Sequence, residues 1–369
     1  MAAQGSLAGL PACPFVAGPK IEDPRLFVGR REELDFIHSR MIGAQPISVN
    51  IYGERRIGKS SLLFHFFQTC AEDTKRYVIA YVPLHDSKCA TQAGFYAACA
   101  EALLARPAVS SDPNLAAPLR AQPMDAAAFG SAVRAWKQRG VLPVLCLDEF
   151  EALMERAGQF DDDFFNHLRA LMDESALMLV IASFEPLHVY QKRHKLTSRF
   201  FNLGHVRRLG VLKKDEAEAL VRLPASTVPG AQAALNDEEQ RLALRWAGRQ
   251  PCLLQLACST LCQARHANRD YAWAKREFDA QATRMTQPPA RAQRWLGLLR
   301  WPLRLLCWLL VDVPKWIGGL ARCIGLVWSD AVSWAVGVGL IVLALGALAG
   351  LISSEQLRGL VLCLFGRCE

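Results

Sequence analysis

The amino-acid sequence predicts an α/β protein: a parallel sheet covered by helices on both faces, then a smaller helical unit, then a C-terminal apolar helix. Three observations carry this. First, the runs Ile47–Tyr52, Tyr77–Leu84, Leu142–Leu147 and Leu177–Ser183 are almost continuously apolar, Val206–Val211 is a last short strand, and the strands alternate with helical stretches. Strands read this way when neither face meets water. Second, from Lys214 to about Asp279 only helical periodicity remains. Third, Ala331–Ile352 is 22 residues without a charge. As a helix at ~1.5 Å per residue it would be about 33 Å long, enough to cross a hydrocarbon core of about 30 Å.

In chain order, residues 1–24 form a Pro/Gly-containing leader expected to be loosely ordered, with neither the basic region nor the apolar run of a signal peptide. The sheet-bearing core spans 25–213. Its first helix runs to about Met41. The β-branched run to Tyr52 is a strand ended by Gly53, and a helix follows from Lys59 to about Thr69. Residues 91–105, 126–138 and 161–173 read as helices between the later strands, and the Pro-, Ala- and Ser-rich stretch 106–124 is expected to loop out. A helical lid is expected over 214–283, a basic, tryptophan-rich membrane-proximal segment over 284–330, the membrane helix over 331–352 and a short tail over 353–369.

Composition agrees with a globular protein carrying one membrane-buried segment: 51% of the 369 residues are hydrophobic and 21% charged. The net charge of +8 has a local source. Arg291, Arg294, Arg300, Arg304, Lys315 and Arg322 surround a single acid, Asp312, just before the apolar helix. A basic flank beside a span marks its cytoplasmic side, and a nucleic-acid patch is the competing reading. Charges within 295–329 make that stretch interfacial, with tryptophans at headgroup depth; a second, imperfect span is the alternative. The twelve cysteines contain no CxxC pair, which implies free thiols in a reducing compartment. Cys258 and Cys262, four apart on one helix face, read as buried small hydrophobes rather than metal ligands.

Gly53-Glu54-Arg55-Arg56-Ile57-Gly58-Lys59-Ser60 fits GxxxxGK[ST], with a strand before it and a helix after it. The glycines let successive N–H groups turn inward as an anion nest, and the helix N-terminus adds partial positive charge. In that setting Lys59 reaches the β- and γ-phosphates of a nucleotide and the Ser60 hydroxyl ligates Mg²⁺. Val144–Leu147 is an apolar strand ending in Asp148 and Glu149. Asp148 is placed to hold the Mg²⁺ shell as a Walker B aspartate does, and Glu149 to orient and deprotonate a water. No guanine-reading NKxD element follows, so ATP with Mg²⁺ is the expected ligand pair.

Pro14-Phe15, Ile21, Asp23-Pro24, Phe27-Val28-Gly29-Arg30, the phosphate loop through Ser61-Leu62-Leu63, and Leu147-Asp148-Glu149-Phe150-Glu151 together resemble the AAA-like P-loop ATPases of the STAND/archaeal-ATPase type, in the ASCE division. The resemblance covers about residues 14–265. It implies a sheet in the order 5-1-4-3-2 with a small helical lid, and nucleotide binding by residues 53–61. It places Val28, Gly29 and Arg30 on the adenine side. Ser183 would stand at the sensor-1 position, with an ordinary strand-end serine as the alternative. Arg199 would stand where a sensor or finger arginine acts in its own subunit or a neighbour's, with a surface arginine as the alternative. Gly248-Arg249-Gln250-Pro251 resembles the GxP-like lid element, with Arg249 where the family often has glycine, and it adds Pro251 to the pocket. Arg245 and Arg249 are the candidates for a sensor-2 arginine.

These observations lead to one expectation: a membrane-anchored ATP-binding protein in which slow ATP hydrolysis drives a conformational signalling switch. Lys59, Ser183, Arg199 and Glu149 would supply the γ-phosphate contacts and the catalysis. The expected partners are ATP, the lipid bilayer, a further copy through the ATPase core, and a protein partner that the sequence does not name. Nucleic acid is not expected. An ATP-triggered membrane-active effector is the alternative, and an ATP-dependent DNA-binding module the weaker one. The ATPase domain is expected on the cytoplasmic side.

Overall fold

A computed structural model describes residues 13–70, 76–156, 158–225 and 232–286. The order is α1 (Arg31–Met41), β1 (Val49–Tyr52), α2 (Lys59–Thr69), β2 (Tyr77–Pro83), α3 (Gln92–Leu104), α4 (Pro107–Ser110), α5 (Pro113–Leu119), α6 (Ala126–Gln138), β3 (Leu142–Asp148), α7 (Glu151–Met154), α8 (Asp162–Asp173), β4 (Met178–Ser183), α9 (Leu187–His194) and β5 (Val206–Arg208). The helices α10 (Lys214–Val221), α11 (Asp237–Ala247), α12 (Pro251–His266) and α13 (Tyr271–Thr286) follow. The sheet and the lid helices belong to one compact unit ending at Arg284.

The five strands are parallel and lie in the order β2-β3-β4-β1-β5, which read from the opposite edge is the 5-1-4-3-2 order that the resemblance implies. Side chains of the central strands alternate between two cores although β3 and β4 are almost wholly apolar. Val144 and Cys146 of β3, with Val180 of β4, join Val49, Ile51, Leu62 and Phe66 on one face. Leu145 and Leu147, with Leu179 and Ile181, join Phe95, Phe129, Trp136 and Phe164 on the other. The period of two is there in β3 and β4, but both are covered on both sides, so hydropathy alone does not show it. The parallel register carries Tyr52 beside Ser183 and Pro83 beside Asp148. The C-terminal ends of β1, β3 and β4 therefore meet at one edge, where open α/β sheets bind their ligands.

Three sequence expectations differ from what is observed. Residues 106–124 do not simply loop out. Pro107 and Pro113 stand in the first turns of α4 and α5, and Asp112 caps α5 by accepting from the Asn114 N–H at 2.9 Å. Leu115 and Leu119, one helical turn apart, are buried, and the Trp136 indole donates to the Leu115 carbonyl at 3.0 Å. Proline sets φ for a helix start as readily as it breaks a helix interior, and composition does not separate the two. Strand β5 stops at Arg208 rather than Val211, as befits a short edge strand.

The leader is the third difference. Phe15 is buried, the Val16 N–H donates to Gln255 Oε1 at 3.0 Å, and the Ile21 N–H donates to Ser61 Oγ at 3.0 Å. Residues 13–23 thus form a strap tied to α12 and to α2 by partners far away in sequence.

In the lid, α11 carries a capping box between Asn236 and Glu239. Cys258 and Cys262 lie in the buried face of α12. No helix among the described residues is long and apolar enough to cross a membrane. The expected membrane helix, 331–352, with its basic flank and tail, lies outside the described residues.

Candidate functional site

The loop after β1 is built by steric necessity at its two glycines. A Cβ on Gly53 would lie 2.6 Å from the Leu209 carbonyl oxygen, and Gly58 holds φ +98° at the N-cap of α2. Arg56 takes a left-handed φ of 62° between them. Lys59 folds back over the loop and donates from Nζ to the carbonyls of Gly53 at 2.7 Å and Glu54 at 2.9 Å. Burial pushes the Lys59 ammonium below its ordinary range, and the nearby carboxylates of Glu151 and Asp148 oppose that shift. A phosphate, with its several charged acceptors, is the chemistry that this amine and helix N-terminus complement.

Asp148 sits almost fully buried at the tip of β3. Its Oδ2 accepts from the Tyr81 hydroxyl at 2.6 Å and its Oδ1 from the Glu149 N–H at 3.0 Å, so the carboxylate plane is held from two sides. Burial first, and then the charge of Asp148, push the Tyr81 phenol well above its ordinary range, so it stays a donor. Glu149 has φ +58°, which turns its side chain out of the strand direction. Its Oε2 lies 2.8 Å from His85 Nδ1, at the end of β2. Glu151 is a third acid at this edge. Its Oε2 accepts from the Phe184 N–H at 3.2 Å, and burial pushes its carboxyl up.

These groups share a cavity of about 480 Å³ whose lining includes Lys59, Ser60, Asp148, Glu149, His85 and Glu151 together with Val16, Ile21, Phe27, Pro251 and Gln255. A volume of a few hundred Å³ lined by charged and apolar side chains suits a small ligand with a charged and a flat part. The Ser60 hydroxyl and the Asp148 carboxylate are both oxygen donors on this cavity, the donor set that a hard cation such as Mg²⁺ takes while keeping several waters.

Of the residues singled out from sequence, Val28, Arg30, Arg55, Arg56, Ile57, Gly58, Lys59, Ser60, Ser61, Asp148, Glu149 and Pro251 line the cavity. Gly53 and Glu54 contribute their carbonyls to Lys59 instead. Gly29, at φ +77°, gives the room that the Glu216 side chain needs: a Cβ there would meet it at 2.6 Å. Ser183 is fully buried and does not line the cavity. Its hydroxyl accepts from Asn50 Nδ2 at 2.8 Å and donates to the Glu185 carbonyl at 2.7 Å, which uses it up inside the sheet edge. Arg199 is exposed and outside the cavity, on a short turn whose Phe200 and Phe201 are buried against Phe165. The structure brings neither Ser183 Oγ nor Arg199 into the cavity. Tyr81, His85 and Gln255 stand in no motif, although His85 lies just beyond the second strand, and Glu151 stands in the run Leu147–Glu151 with no role that the sequence assigns to it.

Arg30, expected on the adenine side, is chiefly a clamp. Its guanidinium donates to the carbonyls of Ile57 at 3.1 Å and Gly210 at 2.6 Å, and lies 3.5 Å from Glu33, while its N–H donates to Glu216 Oε1 at 2.6 Å. It thereby joins the phosphate loop, the segment after β5 and the lid. Arg30→Ala leaves a carboxylate and two carbonyls unpaired in a buried place, and is expected to cost about 3–5 kcal/mol. A urea denaturation midpoint no lower than that of the unaltered protein would contradict this.

The lid is tied to the phosphate loop by a side chain and to the segment after β5 by its backbone. Gln250 Nε2 donates to the Arg56 carbonyl at 3.2 Å, and the Leu212 N–H donates to the Arg249 carbonyl at 2.9 Å. Arg249 therefore acts here through its carbonyl.

Sheet order, phosphate loop and the acidic strand tip define the fold of a P-loop ATPase. Among solved structures the chain is similar to the Walker-type ATPase PABY2304 of Pyrococcus abyssi, with 16% identity over 95% of this chain and 93% of that one and a TM-score of 0.55. It is also similar to the ORC2 protein of Aeropyrum pernix in its ADPNP–ADP complexes, with 13% identity over 99% of this chain and 84% of that one and a TM-score of 0.50. At such identities the likeness establishes the fold and nothing finer. No protein-family model matches the sequence, and no curated protein matches it.

Proposed function

We propose that this chain binds ATP with Mg²⁺ between the sheet edge and the helical lid, hydrolyses it slowly, and uses the cycle as a conformational switch anchored to a membrane. The observation that carries this reading is the single cavity that Lys59, Ser60, Asp148 and Glu149 share with Pro251 of the lid. Lys59 and the amides at the start of α2 hold the triphosphate. Asp148, its plane held by Tyr81 and by the Glu149 N–H, and Ser60 provide the oxygens for the metal. Bound Mg²⁺ supplies charge neutralisation and orientation to the phosphate oxygens. Glu149 takes the proton of the attacking water. That the Aeropyrum protein, similar in fold, forms ADPNP–ADP complexes supports a nucleotide as the ligand.

The switch reading is supported by Arg56, whose carbonyl accepts from the lid residue Gln250 and whose guanidinium lies 3.9 Å from Cys252 Sγ. A ligand that reshapes the loop at Arg56 acts on the lid directly, and a switch needs such a difference in contact between its two states. Exposure of Arg199 outside the cavity supports a role at a neighbouring copy's nucleotide, the role an assembly through the ATPase core would give it.

The direct test is equilibrium binding of ATP to the full chain with and without Mg²⁺, with phosphate release measured on the same preparation. Absence of binding in a folded protein overturns the reading. The membrane anchor rests on residues 331–352 and their basic flank. The full chain is expected to sediment with membranes and resist high salt, and a chain ending at residue 289 to stay in the supernatant. Equal partitioning of the two forms removes the anchor from the proposal.

A further inference from the structure

Two cysteines meet where the strap lies along α12, and the phosphate chemistry uses neither. Cys13 opens the strap and is partly exposed, Cys262 is buried on α12, and neither is in a disulfide. The register of the two elements brings them together. The Val16 N–H donates to Gln255 Oε1 at 3.0 Å, which pins the strap to the helix at one point. From that point Cys13 is three residues back and Cys262 seven residues on. Three residues of extended chain reach at most about 10–11 Å. Seven residues of helix rise about 10.5 Å. Gln255, Ser259 and Cys262 are spaced four and three apart, so they share one face of the helix. The Cys13 thiol is hydrogen-bonded to both Ser259 and Cys262. The strap therefore runs antiparallel along that face, and the two sulfurs are in contact at its end.

The surroundings make the two sulfurs unequal. The hydrogen bond from Cys262, opposed by burial, holds the Cys13 thiol below its ordinary range, and the Phe15 N–H, the Ser259 hydroxyl and the charge of Arg265 add to it. The same hydrogen bond, and then burial, hold Cys262 above its range. Its Sγ accepts from Arg265 Nη2 at 3.9 Å. One sulfur therefore has thiolate character on a partly exposed residue, and its neighbour is a thiol in contact with it.

We propose that Cys13 and Cys262 are a redox modification site, which a hydroperoxide such as hydrogen peroxide converts into a disulfide between the strap and α12. The Cys13 thiolate attacks one peroxide oxygen and the O–O bond breaks. The departing hydroxide takes up the proton that Cys13 has given to solvent and becomes water, and Cys13 is left as a sulfenic acid. The Cys262 sulfur then attacks the Cys13 sulfur. The S–O bond breaks, the S–S bond forms, and the Cys262 proton leaves with the hydroxide as a second water. Two thiols lose two electrons and the peroxide gains them; a thiol reductant reverses the change by exchange. Val16, Lys20 and Ile21 of the strap and Pro251 and Gln255 of α12 line the cavity, so the bond joins two parts of its wall.

The experiment is peptide mapping of the full chain, first reduced and freed of reductant, then exposed to a small molar excess of hydrogen peroxide and blocked with an alkylating agent before digestion. The expected product is a pair of peptides joined through Cys13 and Cys262 that separates on reduction. Cys13 should be consumed about ten-fold faster than Cys70. Cys70 is an internal standard, also partly exposed, whose thiol burial holds above its ordinary range. Cys258→Ser should leave the link intact, because Cys258 is fully buried and is not the thiol that Cys13 bonds to. In Cys262→Ser the link should be lost and Cys13 should persist as a sulfenic acid, which dimedone traps as a thioether. The proposal is overturned by a folded chain that yields no Cys13–Cys262 pair, by Cys13 joined instead to another cysteine, or by Cys13 consumed no faster than Cys70. An equal yield of the pair from chain unfolded in urea overturns it too, since the fold would then contribute nothing. If a variant does not fold, the map of the unaltered chain decides alone.

Discussion

Lys59→Ala is expected to lower ATP affinity by on the order of 100-fold, beyond detection in an ordinary titration. The amine donates to two loop carbonyls, of Gly53 and Glu54, in the structure. Those bonds hold it at the loop mouth, from which it transfers to phosphate oxygens. A hydrogen bond to a charged partner contributes about 1.5–3 kcal/mol net, and removal of the ammonium that the phosphate loop holds for a polyanion takes the upper end of that range. The loop should survive, because its shape comes from Gly53 and Gly58, from the packing of Ile57, which is 3% exposed, and from the Arg30 clamp on the Ile57 carbonyl. Thermal unfolding close to that of the unaltered protein is therefore part of the expectation. Undiminished ATP affinity in a folded Lys59→Ala protein would remove the phosphate loop from the account.

Glu149→Gln is expected to leave ATP affinity within about two-fold and to lower turnover by roughly 10²- to 10⁴-fold, the usual contribution of a positioned general base. The geometry separates this residue from its neighbour. Asp148 is buried and held on both oxygens, so it suits a fixed metal-shell role, whereas Glu149 is exposed and its carboxylate is held at 2.8 Å by His85 Nδ1. A base must swing to its water, and glutamine keeps the size and polarity but takes no proton. Single-turnover phosphate release from a preformed complex gives the comparison free of product departure. Turnover that persists in Glu149→Gln would pass the role of base to Glu151, whose carboxyl is held up by burial on the same cavity.

Much of the sheet was legible because its strands are short, apolar and separated by helical periodicity. Within it, the phosphate loop and the acidic strand tip were legible because their chemistry demands particular residue types at fixed spacing. The contents of 106–124 were not legible, because proline and alanine serve helix starts and loops alike. Ser183 and Arg199 carried roles by position in a motif order, and that order is silent on where a side chain points. The Ser183 hydroxyl is taken by Asn50 and the Glu185 carbonyl, and Arg199 projects from a turn held by Phe200 and Phe201.

What the sequence determined by itself is local chemistry: a loop of amides and one lysine for phosphate, two acids at a strand end, and a charge-free stretch long enough to cross a bilayer. Each of these is encoded within about twenty consecutive residues, the range over which backbone geometry relates side chains to one another. The tertiary structure decided everything that depends on partners distant in sequence. The Val16–Gln255 bond spans 239 positions, the Arg30–Gly210 bond 180 and the Tyr81–Asp148 bond 67. Such contacts arise when burial brings separate elements together and their polar groups must then find partners. No local pattern announces them, so the strap tied to α12 and the clamp behind the phosphate loop came into view only with the fold.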